Sequence, residues 1–108
     1  MKKPAFFCVL LCGLLTIAAN LAYAAGDPVA GQMKKSMCAG CHGIPGYRVA
    51  YPEVYNVPKL GGQHAAYIIK ALQEYKSGQR VFPTMHAIAS SLSDQDMADL
   101  AAYYAQAK

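Results

Sequence analysis

The stretch KSMCAGCHG, from Lys35 to Gly43, contains two cysteines separated by two residues and a histidine directly after the second cysteine. A C-x-x-C pair alone is compatible with a redox-active dithiol, with half of a zinc site or with a short disulfide. The C-x-x-C-H pattern occurs once in the 108-residue chain. The histidine and the rest of the chain must therefore decide between these chemistries.

Three of these interpretations lack support elsewhere in the sequence. A thioredoxin-type dithiol is expected in a βαβ context, and the chain shows no strand pattern. A zinc site needs further Cys or His ligands; His64 and His86 are available, but no second ligand pair has zinc-like spacing. A disulfide across two residues closes so small a loop that it stabilises little by chain entropy.

The full C-x-x-C-H pattern is typical of the covalent attachment of a c-type haem. Two thiols so spaced can add to the two vinyl groups of haem, and two thioethers result. The next residue is then placed beneath the iron. We therefore expect one covalent haem c, bound through Cys38 and Cys41, with His42 as the proximal ligand of its iron.

The N-terminal residues have the pattern of an export signal. Lys2 and Lys3 precede an apolar run over residues 5–19, and the small residues Ala22 and Ala24 follow at A-x-A spacing. This order is typical of a secretory signal peptide. We expect residues 1–24 to be cleaved, leaving a periplasmic domain of residues 25–108 with no membrane span. A retained membrane anchor is the alternative, although the run is short beside the roughly 20 residues that a spanning helix needs.

Charge excludes one class of partner. After residue 24 the chain has eight Lys and Arg against six Asp and Glu. So small an excess argues against nucleic-acid binding.

Helical periodicity and capping residues predict that most of the remaining chain is helical. Asp27 and Pro28 predict the start of a helix that ends near Met37, and Ser93 predicts the start of the last helix. A Pro- and Gly-rich loop covers residues 43–62, and a short helix is expected from Met85. Two helical faces have apolar residues at helical spacing: Ile68, Ala71, Leu72 and Tyr75 on the middle helix, and Met97, Leu100, Ala101 and Tyr104 on the last.

Three segments together resemble the class I cytochromes c of the small bacterial single-haem type. They are GQMKKSMCAGCHG (31–43), PKLGGQHAAYIIKALQEYKSGQR (58–80) and PTMHAIASSLSDQDMADLAAYYA (83–105). The resemblance implies an all-α bundle wrapped around one haem, with its first and last helices crossing. It implies a one-electron carrier between redox partner proteins, and not an enzyme.

The resemblance also implies axial and supporting residues. Met85, which follows Phe82-Pro83-Thr84, corresponds to the methionine that ligates iron opposite the histidine. The adjacent His86 is the alternative, and it would give bis-histidine iron. The His42 Nδ1–H is expected to donate a hydrogen bond to the carbonyl of Pro58, in a segment similar to the family's Pro-x-Leu-x-Gly, with the carbonyl of Pro52 as the other candidate.

Further expectations concern the surroundings of the haem. Arg48, Gln63 and Arg80 are candidates to bind haem propionates or, more simply, are solvated side chains. The resemblance also implies that an aromatic residue of the last helix, Tyr103 or Tyr104, packs near Gly31 where the terminal helices meet. Lysines 34, 35 and 59 are candidates for a docking ring around the haem edge.

Two other functions use the same haem chemistry. A haem enzyme or gas sensor would need an open coordination site on iron, against which Met85 argues. A haem subunit of a dehydrogenase complex would differ from a mobile carrier only in having a permanent partner.

Overall fold

The computed structural model describes residues 25–51 and 53–107. The predicted signal peptide, residues 1–24, lies outside this part, so its cleavage stays a prediction. No helix within the described ranges is long and apolar enough to cross a membrane. The elements are α1 (Pro28–Lys34), α2 (Ser36–His42), β1 (Arg48–Val49), β2 (Tyr55–Asn56), α3 (Ala65–Ser77), α4 (Pro83–Ser90) and α5 (Asp94–Gln106).

The ends of three helices follow the signals in the sequence. The Asp27 side chain caps α1 by accepting a hydrogen bond of 2.8 Å from the Val29 N–H. Ser93 and Asp96 form a reciprocal capping box at the start of α5. Gly78 ends α3 with φ of 83°, a left-handed conformation that glycine adopts without a Cβ penalty.

Two local expectations need correction. The helical conformation does not end at the cysteine motif; it turns briefly at Lys35 and continues as α2 through His42. The loop that follows contains two short strands, although the sequence shows no strand pattern. They pair antiparallel, Arg48 with Asn56 and Val49 with Tyr55, and two residues are too few to display alternation.

The terminal helices α1 and α5 pack closely because Gly31 has no side chain. A Cβ on this buried glycine would collide with the Asp99 carbonyl oxygen and lie 2.8 Å from the Tyr103 Cβ. The expected contact between Gly31 and an aromatic residue of the last helix is therefore confirmed for Tyr103. The adjoining core consists of Leu92, Met97 and Leu100.

A buried carboxylate fastens the same two helices together. Asp99 is only 3% exposed, and its oxygens accept hydrogen bonds from the Asp27 N–H at 2.9 Å, Gln95 Nε2 at 2.7 Å and Lys34 Nζ at 2.7 Å. Lys34 Nζ also lies 2.7 Å from an Asp96 oxygen. Burial alone would raise the pKa of Asp99, but these donors outweigh it and hold that pKa below its usual value.

Candidate functional site

Helix α2 presents both cysteine thiols to one cavity. Cys38 and Cys41 are three residues apart, so they share a helical face. Both are half-buried, and they are not joined by a disulfide. Burial raises the pKa of the Cys38 thiol, and a hydrogen bond with Tyr104 partly opposes that shift. The disulfide interpretation of the motif therefore has no support in the structure.

The zinc interpretation is not supported either. Among the described residues, no three His, Cys, Asp or Glu side chains are grouped so that they could hold a metal ion. Of the imidazoles in residues 25–51 and 53–107, His42 alone lines the cavity with the two thiols. A closed structural zinc site would need four such ligands.

His42 is oriented by the loop that follows the motif. Its Nδ1 lies 2.6 Å from the carbonyl oxygen of Pro58. Because a carbonyl only accepts, Nδ1 carries the proton and the Nε2 lone pair stays available to a metal. The prediction that Pro58 is the acceptor is confirmed; the other candidate, Pro52, lies outside the described residues.

The walls of this cavity are mainly apolar, and they come from helices α2, α3, α4 and α5 together with the loop that follows α2. Every residue of the predicted apolar face of α3 lines it, and so do two residues of the predicted face of α5. The apolar positions at helical spacing in the sequence therefore identify residues that line the cavity as well as residues that pack between helices. These residues are Ile68, Ala71, Leu72 and Tyr75 of α3, with Leu100 and Tyr104 of α5.

Met85 lines the same cavity from the first turn of α4, where its side chain is half-buried. That helix begins at Pro83, two residues earlier than predicted, because proline fits the first helical position without losing a needed N–H. The imidazole of His86 is exposed, does not line the cavity, and has its Nδ1 2.7 Å from the carbonyl oxygen of Tyr75. Met97 is fully buried in the core, as its helical spacing predicts.

The candidate propionate-binding residues have different environments. Gln63 and Arg80 line the cavity, whereas Arg48 is exposed and does not. Arg80 is held in place by the Glu74 carboxylate, 2.9 Å from its Nε, and by the Tyr67 hydroxyl at 3.1 Å. A fixed guanidinium of this kind is suited to a carboxylate at the mouth of the cavity.

Sequence reasoning missed several lining residues. Met37, Tyr55, Tyr67 and Phe82 all contribute to the cavity. Tyr55 lies in β2 and Phe82 is the N-cap of α4, and their ring centroids are 5.3 Å apart. Neither lies in a periodic segment, so no pattern could have identified them. Met37, in contrast, directly precedes Cys38 and could have been inferred from the motif.

Two of the three candidate docking lysines are engaged within the protein. Lys34 is paired with Asp96 and Asp99. Lys35 Nζ donates to the Tyr103 hydroxyl at 2.9 Å. Lys59 is exposed and lines the cavity. Of the three lysines expected around the haem edge, Lys59 is the one that lines the cavity.

These side chains fit a covalently bound haem. Two unbridged thiols on one helical turn, an imidazole with its Nδ1 proton already placed and a thioether all line one apolar cavity. Imidazole and thioether are the axial ligand types of cytochrome iron. The apolar walls suit the faces of a porphyrin, and the polar side chains of Gln63 and Arg80 suit its carboxylates.

Comparison with known proteins agrees with this donor set. A family model described as Cytochrome c matches residues 27–108. The chain belongs to the cytochrome c family. The resemblance to class I cytochromes c is confirmed, as are the predicted mainly helical fold and the covalent c-type haem.

Individual relatives show how far the similarity extends. The chain is 45% identical over 96 residues to cytochrome c4 of Pseudomonas aeruginosa, a match covering 88% of this chain and 46% of that protein. It is 42% identical over 83 residues to cytochrome c-554(548) of Halomonas halodenitrificans, covering 74% of this chain and 95% of that one. The chain thus spans about half the length of the cytochrome c4 relatives and nearly all of the smaller protein.

A solved structure gives the same result for the fold. The crystal structure of reduced recombinant cytochrome c4 from Pseudomonas stutzeri superimposes with a TM-score of 0.55 and 29% sequence identity. The match covers 78% of this chain and 51% of that one. The cytochrome c fold is therefore supported by sequence and by structure.

Proposed function

We propose that this cytochrome is a periplasmic one-electron carrier whose haem is attached through Cys38 and Cys41, with His42 and Met85 as axial ligands. The observation that supports this most strongly is that all four side chains line a single cavity. When bound, the haem supplies reversible one-electron oxidation and reduction at its iron. The protein's contribution is to fix the ligands, restrict access and set the potential.

A hydrogen bond within the protein orients His42 for ligation. Its Nδ1–H donates to the Pro58 carbonyl at 2.6 Å, which fixes both the tautomer and the ring orientation. Such an outer hydrogen bond also makes the ligating nitrogen more basic. Pro58 therefore supports ligation without contacting the metal.

Met85 supplies the second axial ligand in this proposal. A neutral thioether opposite an imidazole raises the potential of haem iron relative to stronger donors. The competing residue, His86, directs its Nδ1 to the Tyr75 carbonyl and lies outside the cavity lining. This arrangement favours His/Met over bis-histidine ligation.

The surroundings of the cavity favour electron transfer over substrate chemistry. Apolar faces of α3 and α5 line the cavity, and apolar surroundings leave little solvent to rearrange when the charge of the site changes. With a methionine as sixth ligand, no coordination position is left for a peroxide or a gas. The site therefore suits a carrier better than it suits an enzyme or a sensor.

Partner docking should depend more on apolar contact than on charge. Half-exposed Met37, Tyr55 and Tyr67 all line the cavity, whereas Lys34 and Lys35 are engaged elsewhere. The partners are redox proteins that donate or accept one electron. A permanent place in a dehydrogenase complex would show as co-purification with that enzyme. The predicted signal peptide supports a periplasmic location, which cell fractionation would test.

Binding of external ligands distinguishes a carrier from an enzyme or sensor. Ferric protein should bind cyanide slowly near neutral pH, and ferrous protein should bind carbon monoxide slowly, because Met85 must first leave. The Met85→Ala variant should bind both rapidly. Rapid binding by the wild-type protein would mean that the iron is open and that the carrier proposal is wrong.

A further inference from the structure

The first turn of α4 has little to hold it in place. Its N-cap residue, Phe82, provides no side-chain hydrogen bond, and Pro83 has no N–H. Met85 is the third residue of this turn. The segment that presents the proposed sulfur ligand is therefore not secured by the usual capping device.

His86 provides a connection that the cap does not. Its Nδ1 lies 2.7 Å from the carbonyl oxygen of Tyr75, near the C-terminus of α3. Within residues 25–51 and 53–107, this is the one side-chain hydrogen bond that joins α4 to another helix. The Ser90 and Ser91 hydroxyls, in comparison, donate to carbonyls of α4 itself.

The acceptor belongs to a fixed part of the cavity wall. The Tyr75 side chain lines the cavity, and its carbonyl also accepts from the Gly78 N–H at 3.3 Å. Since a carbonyl oxygen only accepts, the His86 tautomer with the proton on Nδ1 is the one that bonds there. The bond thus ties the residue next to Met85 to α3, whose Tyr75 side chain lines the cavity.

We propose that His86 is a positioning residue that holds the Met85 turn against α3, so that the thioether stays directed into the cavity. This inference rests on the proposed ligation by Met85. His86 acts through its Nδ1–H on the Tyr75 carbonyl and does not touch the metal. Its loss would let the α4 turn open more often without altering the ligands.

The expected effect is modest and measurable. Removing one hydrogen bond of ordinary strength should increase local opening of the turn about fivefold, equivalent to about 1 kcal/mol. Cyanide binding to the ferric protein requires Met85 to leave, so its rate reports this opening. The weak charge-transfer band of methionine sulfur on ferric iron, at the edge of the near-infrared, reports the fraction that is ligated.

Four variants of the ferric holoprotein separate positioning from other roles. His86→Ala should bind cyanide about fivefold faster while retaining most of the band. His86→Asn places an amide N–H near the position of Nδ1 and should restore the wild-type rate, whereas His86→Gln places it at the Nε2 position and should not. His64→Ala removes an imidazole that makes no cap hydrogen bond at the start of α3, and should match wild type.

The outcomes distinguish this inference from the proposal on which it rests. Wild-type rates in His86→Ala, together with fast cyanide binding in Met85→Ala, would overturn the positioning role and leave the ligation intact. If Met85→Ala keeps the band and the slow rate, the ligation itself is wrong. If His86→Ala opens the iron as fully as a missing ligand would, His86 is the ligand and both statements fail.

Discussion

Replacing Gly31 with alanine should strongly destabilise the protein, although alanine is the better helix former. A Cβ at position 31 would collide with the backbone carbonyl of Asp99 and lie 2.8 Å from the Tyr103 Cβ. The atoms it meets belong to the backbone and the first side-chain carbon of α5, so they cannot rotate away. The terminal helices would have to separate to admit one methyl group.

A matched substitution isolates the cost of that collision. Gly40 is also helical, but it is exposed, and a Cβ there would meet nothing within 4 Å. Both Gly→Ala changes gain the same helix propensity, about 1 kcal/mol. Overpacking at Gly31 costs up to about 3 kcal/mol. The two variants should therefore differ by up to about 3 kcal/mol in the free energy of unfolding.

Thermal unfolding of the holoproteins, followed by circular dichroism, would measure this difference. For a domain of this size, about 3 kcal/mol corresponds to a separation in Tm on the order of 10–20 °C. Gly40→Ala should unfold at or above the wild-type temperature. If Gly31→Ala unfolds at the same temperature as Gly40→Ala, α1 and α5 do not approach as closely as described here.

Three further predictions concern charge and attachment. Because the pKa of Asp99 is lower in the folded protein than in the unfolded chain, its ionised carboxylate stabilises the fold at any pH above the unfolded-state pKa. This stability is lost as the pH falls through the folded-state pKa. Asp99→Asn should therefore lower Tm at pH 7 and weaken its decline on acidification; an unchanged pH profile would contradict this. Cys38→Ser or Cys41→Ser should leave at most one thioether and sharply reduce the yield of holoprotein, and the double variant should lose its haem to acid-acetone extraction. Electron-transfer rates with a protein partner should fall only modestly from low to physiological salt, since Lys34 and Lys35 are engaged internally; a steep fall would indicate a charged docking surface.

Much of the fold follows from local signals in the sequence. Asp27 with Pro28, Ser93 with Asp96, and Gly78 each have a physical reason to start or end a helix, and the structure places helix ends at all three. The positions at helical spacing on α3 and α5 proved to line the cavity or the core. Such features depend on neighbours within a turn or two, which a sequence displays directly.

Features that depend on distant contacts could not be predicted. The pairing of Val49 with Tyr55 and the contact between Tyr55 and Phe82 arise where the long loop folds over the cavity. No periodicity marks such residues, because loop conformation is set by what the loop packs against. The same limit applies to Lys34, whose pairing with Asp99 spans 65 positions in the chain.

At the site, too, the hydrogen bond between His86 and Tyr75 is a contact that the sequence alone does not reveal. The family resemblance predicts Met85 as the second ligand and leaves the adjacent His86 as its competitor. The sequence does not show which of two adjacent residues faces the cavity. The structure does, because successive residues of a helix point about 100° apart. The structure places one side chain at the cavity and the other against a carbonyl of α3.

Mass spectrometry of the protein purified from the periplasm, combined with its alkaline pyridine spectrum, tests the central claim most directly. A fragment containing Cys38 to His42 should carry one haem, with neither thiol open to alkylation, and the spectrum should be that of a haem whose two vinyl groups have been saturated. The intact mass would also show whether residues 1–24 have been removed. Alkylatable cysteines at positions 38 and 41, or a haem released intact by acid-acetone, would contradict the assignment.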